Sequence, residues 1–333
     1  MDFTLADSQQ AVTALAAEIL AGAVPDRGAL GPEAPASTGP WKELARAGLL
    51  SLGPDGAGPD SASTDGLGLL DVTVLLTEIG RRAVPVPALP TLMTGALPLL
   101  RWGRPDLLPA VASGELILTA ALRQHSPDTW TGVPYASQAQ LVLVPSITGV
   151  ALVNPHAEGV TLIPTPSSSG QPECTLRLDD APIEAMLGGP DCAEDLYQLS
   201  VAGACAMIQG AVAGALALTR DHVATREQFG RPLAAFQAVS QQVADVYIAS
   251  RTIHLATLAA CWRLNEGLDA AADLAVAAYW CAEQAPRAVR ICHHLHGGIG
   301  MDATYPLHRF SALVADLVRY LGGAEYRLAC IST

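Results

Sequence analysis

The sequence is poor in positive charge and has almost no lysine. Its 333 residues include 19 Lys and Arg against 32 Asp and Glu, which gives a formal net charge of −13. Lys42 is the only lysine, so every other basic residue is an arginine. This composition argues against a nucleic-acid partner, because phosphate contacts need a basic face. An anionic ligand would have to be held by locally grouped arginines, whose planar guanidinium groups suit phosphate.

Paired cysteines and long apolar runs are also missing. The 7 cysteines include no CxxC pair, which favours reduced and mostly buried thiols. No run of about 18 uninterrupted apolar residues occurs, and the opening "MDFTLADSQQAVTALAAEIL" lacks the basic start of a signal peptide. We therefore expect a cytoplasmic protein that is neither secreted nor inserted in a membrane.

The apolar pattern divides the chain into three expected domains. Residues 1–114 show helical spacing in "SQQAVTALAAEIL", "WKELARAGLL" and "LGLLDVTVLLTEIGRRA", with a Gly- and Pro-rich loop at "GPDGAGPDSASTDG". Residues 115–190 contain short β-like runs, namely "ELILTAAL", "AQLVLVPS", "GVALVNP", "GVTLIPTP" and "CTLRLDDAPI". In the last run, apolar Cys174 and Leu176 alternate with Thr175 and Arg177, as expected of a half-buried antiparallel strand.

Residues 191–333 lose this alternation and become rich in alanine. They predict four helices over about 192–226, 236–266, 269–295 and 307–331, with a kink at Pro286 in the third. The predicted fold is α+β and mainly α. A helical domain is followed by a small, reduced β domain and a C-terminal four-helix bundle.

One segment of the C-terminal region, "TREQFGRPLAAFQAV" at residues 225–239, groups hydrogen-bond donors around aromatic rings. The pattern predicts that a helix ends at Phe229 and Gly230 and that Pro232 begins the next segment. Donors beside an aromatic plate suit a phosphate joined to a heteroaromatic ring. The alternative is an ordinary helix end with solvated arginines.

A second segment, "ICHHLHGGIG" at residues 291–300, combines one cysteine, three histidines and a pair of glycines. Cys292 and His296 are four residues apart and would share a helix face, a spacing found in zinc sites. No second ligand pair occupies a matching element, so we expect no metal. A nucleophile with its base is a further alternative. The glycines indicate instead a helix end where backbone approaches a ligand closely.

The two segments together, with "HLHGGIG" continuing into "MDATYPLHR", resemble the acyl-CoA dehydrogenase family. The resemblance extends over the whole chain. "MDFTLADSQQ" looks like the family's opening helix, and "WKELARAGLLSL" and "LLTEIGRRAVPVP" look like its later N-terminal helices.

The resemblance implies FAD as cofactor and a set of residues that hold it. In the family these segments of one subunit contact the pyrophosphate and adenine end of FAD bound mainly by a neighbouring subunit. His294 departs from the pattern, since the family has Gln there. The implied cofactor-binding residues are Arg226, Gln228, Phe229, Phe236, Gln237, His294, Leu295, His296, Gly297 and Gly298.

The catalytic base of the family is missing at both of its usual positions. Dehydrogenation needs a carboxylate that removes the α proton of an acyl thioester while the flavin accepts a β hydride. In "RYLGGAEYR", Leu321 stands at the usual Glu, and the alternative position on the first bundle helix falls near Ser200. Neither side chain can act as a base, so we expect no catalytic residue in this chain. Glu194, Asp195 and Glu325 are read as solvated surface acids.

The flavin-ring site of the family is also reduced. Relatives hold the isoalloxazine with a Thr-Glu-Pro segment, a Gly-Ser-Asp loop and a Trp-containing strand. In "ILTAALRQHSPDTWTGVPYAS" only Thr119 is kept, and Trp130 stands outside the usual context. We therefore expect that this chain does not seat a flavin ring of its own.

These departures resemble one subset of the family. Actinobacterial enzymes that degrade cholesterol side chains are heterotetramers of two chain types, and this chain looks like the short subunit without the base. The resemblance implies a second acyl-CoA dehydrogenase subunit as partner, a steroid-CoA thioester as substrate and an electron-transfer acceptor. The alternatives are a self-sufficient homotetramer with Glu325 as a displaced base, and a scaffold that has lost FAD.

Overall fold

The computed structural model describes residues 4–23, 38–53 and 66–331. The N-terminal helices form where the apolar periodicity predicts them, with α1 at Asp7–Ala21, α2 at Thr38–Arg46 and α3 at Leu69–Arg82. Residues 54–65 of the predicted surface loop lie outside the described residues.

A buried π-helix follows α3 along the chain. It covers Leu89–Ala96 and continues directly into α4 at Leu97–Trp102, while α5 covers Leu108–Ala112. Pro90 lies in the first turn of the π-helix, where a backbone N–H has no intrahelical acceptor to lose. Pro98 lies where the π-helix changes to α4.

Two four-stranded sheets make up the β region, in the orders β1-β4-β5-β8 and β2-β3-β7-β6. Only the β1–β4 pair is parallel among these neighbours. The strands are Leu118–Ala120, Gln124–Ser126, Thr129–Pro134, Leu141–Ser146, Gly149–Val153, Val160–Thr165, Glu173–Leu178 and Ile183–Leu187, numbered β1 to β8.

Strand β7 confirms the predicted alternation. Cys174 and Leu176 are fully buried, whereas Arg177 between the apolar positions is exposed. Leu176 lies opposite Trp130 of β3 on one side and Leu162 of β6 on the other. The apolar face of the strand therefore enters a cluster to which both sheets contribute, made of Ala121, Trp130, Val133, Ala136, Val142, Val144, Ala151, Val153, Cys174 and Leu176.

The C-terminal region is helical close to the predicted bounds. Helix α6 covers Cys192–Thr225, α7 covers Gln237–Asn265, and α8 covers Ala271–His296. Two predictions fail here. The last run is two helices, α9 at Leu307–Leu321 and α10 at Ala324–Ile331, because Gly322 and Gly323 both adopt left-handed φ values, of 92° and 85°.

The second failed prediction is the helix end at Phe229 and Gly230, whereas the predicted run over about 192–226 is confirmed. The helix ends at Thr225, before Phe229 and Gly230. The residues between α6 and α7 form a two-residue strand pair, β9 at Glu227–Gln228 and β10 at Arg231–Pro232. A hairpin therefore stands where a simple helix end was expected. Helix α8 continues through Pro286.

The chain divides into two compact units. One contains Leu76–Ala83 and the chain from Ala204 onward, and the other contains Leu5–Leu75 and Val84–Gly203. The second unit holds α1, α2 and all the strands of the two large sheets. The predicted domain boundaries at 114 and 190 stay a prediction.

Glycines bring α3 and α6 into backbone contact within the first unit. A Cβ on Gly210 would overlap the Thr77 carbonyl oxygen, and one on Gly214 would overlap that of Arg81. From the other side, a Cβ on Gly80 would overlap the Met207 carbonyl oxygen. Small residues along "AGACAMIQGAVAGAL" therefore serve close helix packing.

Helix α6 is also the one helix among the described residues that is long and apolar enough to cross a membrane by length and composition. However, 72% of its most apolar stretch is buried inside the protein. Its apolar character is that of a core helix.

Candidate cofactor-binding site

The hairpin after α6 presents most of the first predicted segment to solvent. Arg231 pairs with Gln228, and Pro232 pairs with Glu227, so Phe229 and Gly230 form the two-residue turn. Both turn residues have positive φ, 54° and 77°, as a type I′ hairpin turn requires. A left-handed Phe is strained by about 1–3 kcal/mol, and such strain is often kept at binding sites.

Aromatic rings and arginines lie together along this hairpin. The Arg231 guanidinium lies 4.0 Å from the Phe236 ring centroid. Phe229 and Phe236 meet edge to face with centroids 6.2 Å apart, and Phe229 is 92% exposed. The hairpin therefore exposes an aromatic ring and arginine donors at the surface of this chain.

The second predicted segment ends α8. The Gly297 N–H donates to the carbonyls of His293 and His294 and closes the helix. Gly297 has φ 60° and ψ −138°, a conformation restricted to glycine. A Cβ on Gly297 or on Gly298 would meet no atom of this chain within 4 Å. The glycine turn thus borders open space that a side chain would fill.

Three side chains, His222, His296 and Tyr305, join the two segments, and we call them the histidine cluster. His222 of α6 stacks on His296 of α8, with ring centroids 4.4 Å apart and an interplanar angle of 17°. His296 Nδ1 contacts the Cys292 carbonyl at 2.8 Å, and its Nε2 contacts the Tyr305 hydroxyl at 3.1 Å. The Arg226 N–H donates to the His222 carbonyl at 2.9 Å, so the hairpin begins one turn beyond the stack.

The two histidines of the cluster have pKa values below the ordinary value for histidine. Burial lowers the pKa of His296; the bond to the Cys292 carbonyl opposes this, and His222 and His293 lower it further. Burial and the nearby Arg226 lower the pKa of His222. Both rings are therefore neutral at pH 7.

The ten predicted cofactor-binding residues differ in accessibility. Phe236 is half-buried, and Leu295 and His296 are buried, so the last two offer a ligand only their backbone. The exposed members are Arg226, Gln228, Phe229, Gln237, His294, Gly297 and Gly298. Their role as cofactor-binding residues stays a prediction.

The Cys292 thiol is not placed to act as a nucleophile with His296 as its base. The thiol is fully buried, burial raises its pKa, and His296 contacts the Cys292 carbonyl rather than the sulfur. Within residues 4–23, 38–53 and 66–331, no three His, Cys, Asp or Glu side chains are grouped to hold a metal ion. The segment forms the C-terminal end of α8, and the expected absence of a metal stays a prediction.

The sequence interpretation missed His222 and Tyr305. His222 precedes Arg226 by one helical turn, and that spacing is the only local signal of its position beside the hairpin. Tyr305 lies in the turn between α8 and α9, and nothing in its neighbourhood of the sequence indicates a partner.

The grouped residues fit one end of FAD. Arg226 and Arg231 supply guanidinium donors for a pyrophosphate, and the Phe229 and Phe236 rings offer surfaces on which an adenine can stack. The C-terminal end of α8 carries partial negative charge, so the glycine turn suits the adenosine better than a phosphate.

Comparison with known proteins identifies the family. Residues 197–327 match the family described as "Acyl-CoA dehydrogenase, C-terminal domain". The chain is 43% identical over 309 residues to the acyl-CoA dehydrogenase FadE28 of Mycobacterium tuberculosis, which covers 86% of this chain and 90% of the relative.

Two solved structures are similar over nearly their whole length. A chain of the ChsE4-ChsE5 complex from Mycobacterium tuberculosis has a TM-score of 0.90 and 31% identity, covering 100% of this chain and 98% of its own. A chain of the Tcur3481-Tcur3483 steroid ACAD, solved as a variant, has a TM-score of 0.88 and 32% identity, covering 99% and 98%. This chain belongs to the acyl-CoA dehydrogenase family, whose members are FAD-dependent oxidoreductases acting on CH–CH bonds.

Proposed function

We propose that the chain is the subunit without a catalytic base in a heteromeric acyl-CoA dehydrogenase that forms an α,β double bond in a steroid-CoA side chain. Two observations on relatives support this. One similar structure is a complex of ChsE4 with ChsE5, and another is described as a steroid ACAD of two components. A cytoplasmic location and an electron-transfer acceptor follow from the same proposal.

The side chains at the two expected base positions carry this proposal. Leu321 is 1% exposed and has no ionisable group. Ser200 is 2% exposed, and its hydroxyl donates to the Tyr197 carbonyl at 2.7 Å. Neither residue can take a proton from a thioester substrate.

The acidic residues close in sequence to the two base positions are either bonded to another side chain or exposed to solvent. Asp195 forms an ion pair with Arg101 at 3.1 Å, and Glu194 accepts a hydrogen bond from Gln198 at 3.2 Å. Glu325 is exposed at the start of α10. Of these three acids, Glu325 is the one that the self-sufficient alternative would use as its base.

The remnants of the flavin-ring site are used within the β region. The Thr119 hydroxyl donates to the Pro134 carbonyl at 2.6 Å, and its side chain is fully buried. Trp130 is 7% exposed in the core shared by the two sheets. Both groups stabilise the β region, and this supports a partner that holds the isoalloxazine.

Bound FAD supplies the hydride acceptor for the reaction. In this proposal Arg226 and Arg231 bind the pyrophosphate, and the glycine turn lies against the adenosine. Two large apolar side chains in or next to these segments are exposed, Phe229 at 92% and Met301 at 81%. Exposed apolar groups beside a charged binding site are typical of a surface that is covered in an assembly.

Co-expression with a full-length family member encoded nearby tests the proposal. The chain alone is expected to be colourless and poorly soluble, because its apolar face is uncovered. The co-purified complex is expected to be yellow, with one FAD per pair of chains. Flavin absorbance and native mass spectrometry measure both quantities.

Two results would contradict the proposal. A yellow, active homo-oligomer of this chain whose turnover collapses in Glu325→Gln with flavin still bound would establish the self-sufficient enzyme. A stable complex without flavin would establish the scaffold.

Substituting Arg226 tests its part in cofactor binding. Arg226→Ala is expected to weaken FAD binding to the complex about ten- to a hundredfold, because a charge-assisted hydrogen bond to phosphate contributes roughly 1.5–3 kcal/mol. Flavin fluorescence titration measures the change. Arg220→Ala is the control, because Arg220 is exposed and pairs with Asp221 at 3.0 Å. Equal effects of the two substitutions would show only a general loss of positive charge.

A further inference from the structure

The histidine cluster lies between the two segments assigned to FAD, and the proposed function does not use it. It joins the last turn of α6 to the last turn of α8 and to the turn before α9. The hairpin begins directly beyond the first of these turns, and the glycine turn directly beyond the second. A change in the cluster would therefore alter the position of both segments.

The hydrogen bonds of His296 define its protonation state. The Cys292 carbonyl can only accept, so His296 Nδ1 carries the hydrogen that it shares at 2.8 Å. In a neutral ring Nε2 is then an acceptor, and the Tyr305 hydroxyl donates to it at 3.1 Å. One tautomer of neutral His296 satisfies both contacts.

Protonation would disturb the ring stack. At a protonated Nε2 the Tyr305 hydroxyl would turn from donor to acceptor and keep its contact. Two stacked imidazolium rings, however, would repel each other at a centroid distance of 4.4 Å. Asp221 lies close enough to Tyr305 to act on it, but it also pairs with Arg220, so its charge is shared. The charged or titratable groups near the cluster also include Arg226, Cys292, His293 and His308.

We propose that His222, His296 and Tyr305 form a positioning cluster that holds the hairpin and the glycine turn together while both rings are neutral and separates them on protonation. Because it concerns how those segments hold FAD, this inference rests on the proposed function. His222, His296 and Tyr305 are positioning residues that act through Arg226 and Gly297.

The direction of the pH dependence follows from the lowered pKa values of His222 and His296. In a disordered segment the two histidines would bind protons near their ordinary pKa of about 6.5, whereas in the ordered cluster they bind protons only at lower pH. The cluster is therefore fully formed above about pH 6.5 and is lost as the pH falls through the lowered pKa values.

The test measures FAD affinity of the complex between pH 7.5 and pH 5. With one linked proton, the wild-type dissociation constant rises about tenfold per pH unit once titration begins. His222→Phe keeps a ring in the stack but removes one protonation site. The fall in FAD affinity between pH 7.5 and pH 5 is therefore expected to be clearly smaller in this variant than in the wild type. Tyr305→Phe removes only the hydroxyl and is expected to weaken FAD binding roughly fivefold at pH 7.5, the effect of one neutral hydrogen bond.

The control variant is His254→Phe. His254 is another half-buried histidine whose pKa is lowered by burial, and it contacts Gln209 at 2.8 Å, outside the cluster. His254→Phe is expected to keep the wild-type pH profile. If His222→Phe and Tyr305→Phe bind FAD with wild-type affinity and pH dependence, the positioning role is wrong, and the cofactor assignment is unaffected.

Hydrogen exchange of the full chain gives a measurement that does not depend on FAD. The measured quantities are the protection factors of the Arg226 and Leu233 amides, which correct for the intrinsic effect of pH on exchange. The Arg226 amide donates to the His222 carbonyl where the hairpin begins, and the Leu233 amide donates to the Arg226 carbonyl where it closes. Protection is expected to fall in acid in the wild type and to persist in His222→Phe. If the complex holds no FAD, the proposed function is wrong, and the exchange data alone decide whether the cluster holds the hairpin.

Discussion

Gly298→Val is expected to abolish FAD binding in the heteromeric complex. Within this chain a Cβ at Gly298 meets no atom within 4 Å, and its backbone does not lie in the left-handed region. Valine should therefore be accommodated by the chain itself, and its methyl groups would enter the space assigned to the adenosine. A loss of more than about a hundredfold, roughly 2.8 kcal/mol, is expected in a flavin titration.

The control for Gly298→Val is Gly189→Val. Gly189 precedes α6, a Cβ there would also meet no atom within 4 Å, and its φ is likewise not left-handed. Both variants should assemble with the partner subunit in wild-type yield, and only Gly298→Val should lose flavin. A Gly298→Val complex that retains FAD would mean that the glycine turn is not at the cofactor. If elemental analysis finds zinc near one equivalent per chain, residues 291–300 form a metal site instead.

Gly297 would be a poorer choice for this experiment. Its φ of 60° and ψ of −138° are closed to residues with a Cβ, so a substitution would cost about 1–3 kcal/mol of backbone strain. Loss of FAD in a Gly297 variant would not separate a distorted turn from a blocked site. The structure thus distinguishes two adjacent glycines that look equivalent in the sequence.

The helices and most of the strands could be predicted because their signals are local. Helix α6 at Cys192–Thr225 and helix α7 at Gln237–Asn265 agree with the predicted runs to within about one residue. Strands β2, β3 and β8 were missed, since the last predicted run contains only the first residue of β8, Ile183. Strand β3 contains Gly132 and ends at Pro134, and it forms because Trp130 and Val133 pair with β7. Such pairing is not visible in the segment itself.

The hairpin was not predicted, because its two turn residues are not the ones that such turns usually contain. Two-residue turns of this type favour Asn-Gly or Asp-Gly, whereas this one uses Phe229 and Gly230. By contrast, the break after α9 carried an available signal, since Gly322 and Gly323 follow the last apolar position of the helix. The histidine cluster could not be predicted, because it forms only when α6, α8 and the turn before α9 pack together.

Gly210→Ala is expected to destabilise the chain strongly although it adds a single methyl group in a helix. The new Cβ would overlap the Thr77 carbonyl oxygen and lie 2.8 Å from the Arg81 backbone nitrogen. Both are backbone atoms of α3, so no side-chain rotation can relieve the contact, and the two helices must move apart. Overpacking of this kind costs about 1–3 kcal/mol or more, and it exceeds the gain of up to about 1 kcal/mol in helix propensity.

Thermal unfolding of the complex, followed by circular dichroism, measures this loss against Gly39→Ala. Gly39 lies in α2, and a Cβ there meets no atom within 4 Å, so the same substitution should be neutral or slightly stabilising. Gly214→Ala should resemble Gly210→Ala, because its Cβ would overlap the Arg81 carbonyl oxygen and approach the Phe310 ring. A Gly210→Ala melting temperature equal to that of the wild type would mean that α3 and α6 are not in backbone contact. The stripe of small residues on α6 would then have to be explained by space for a bulky acyl group.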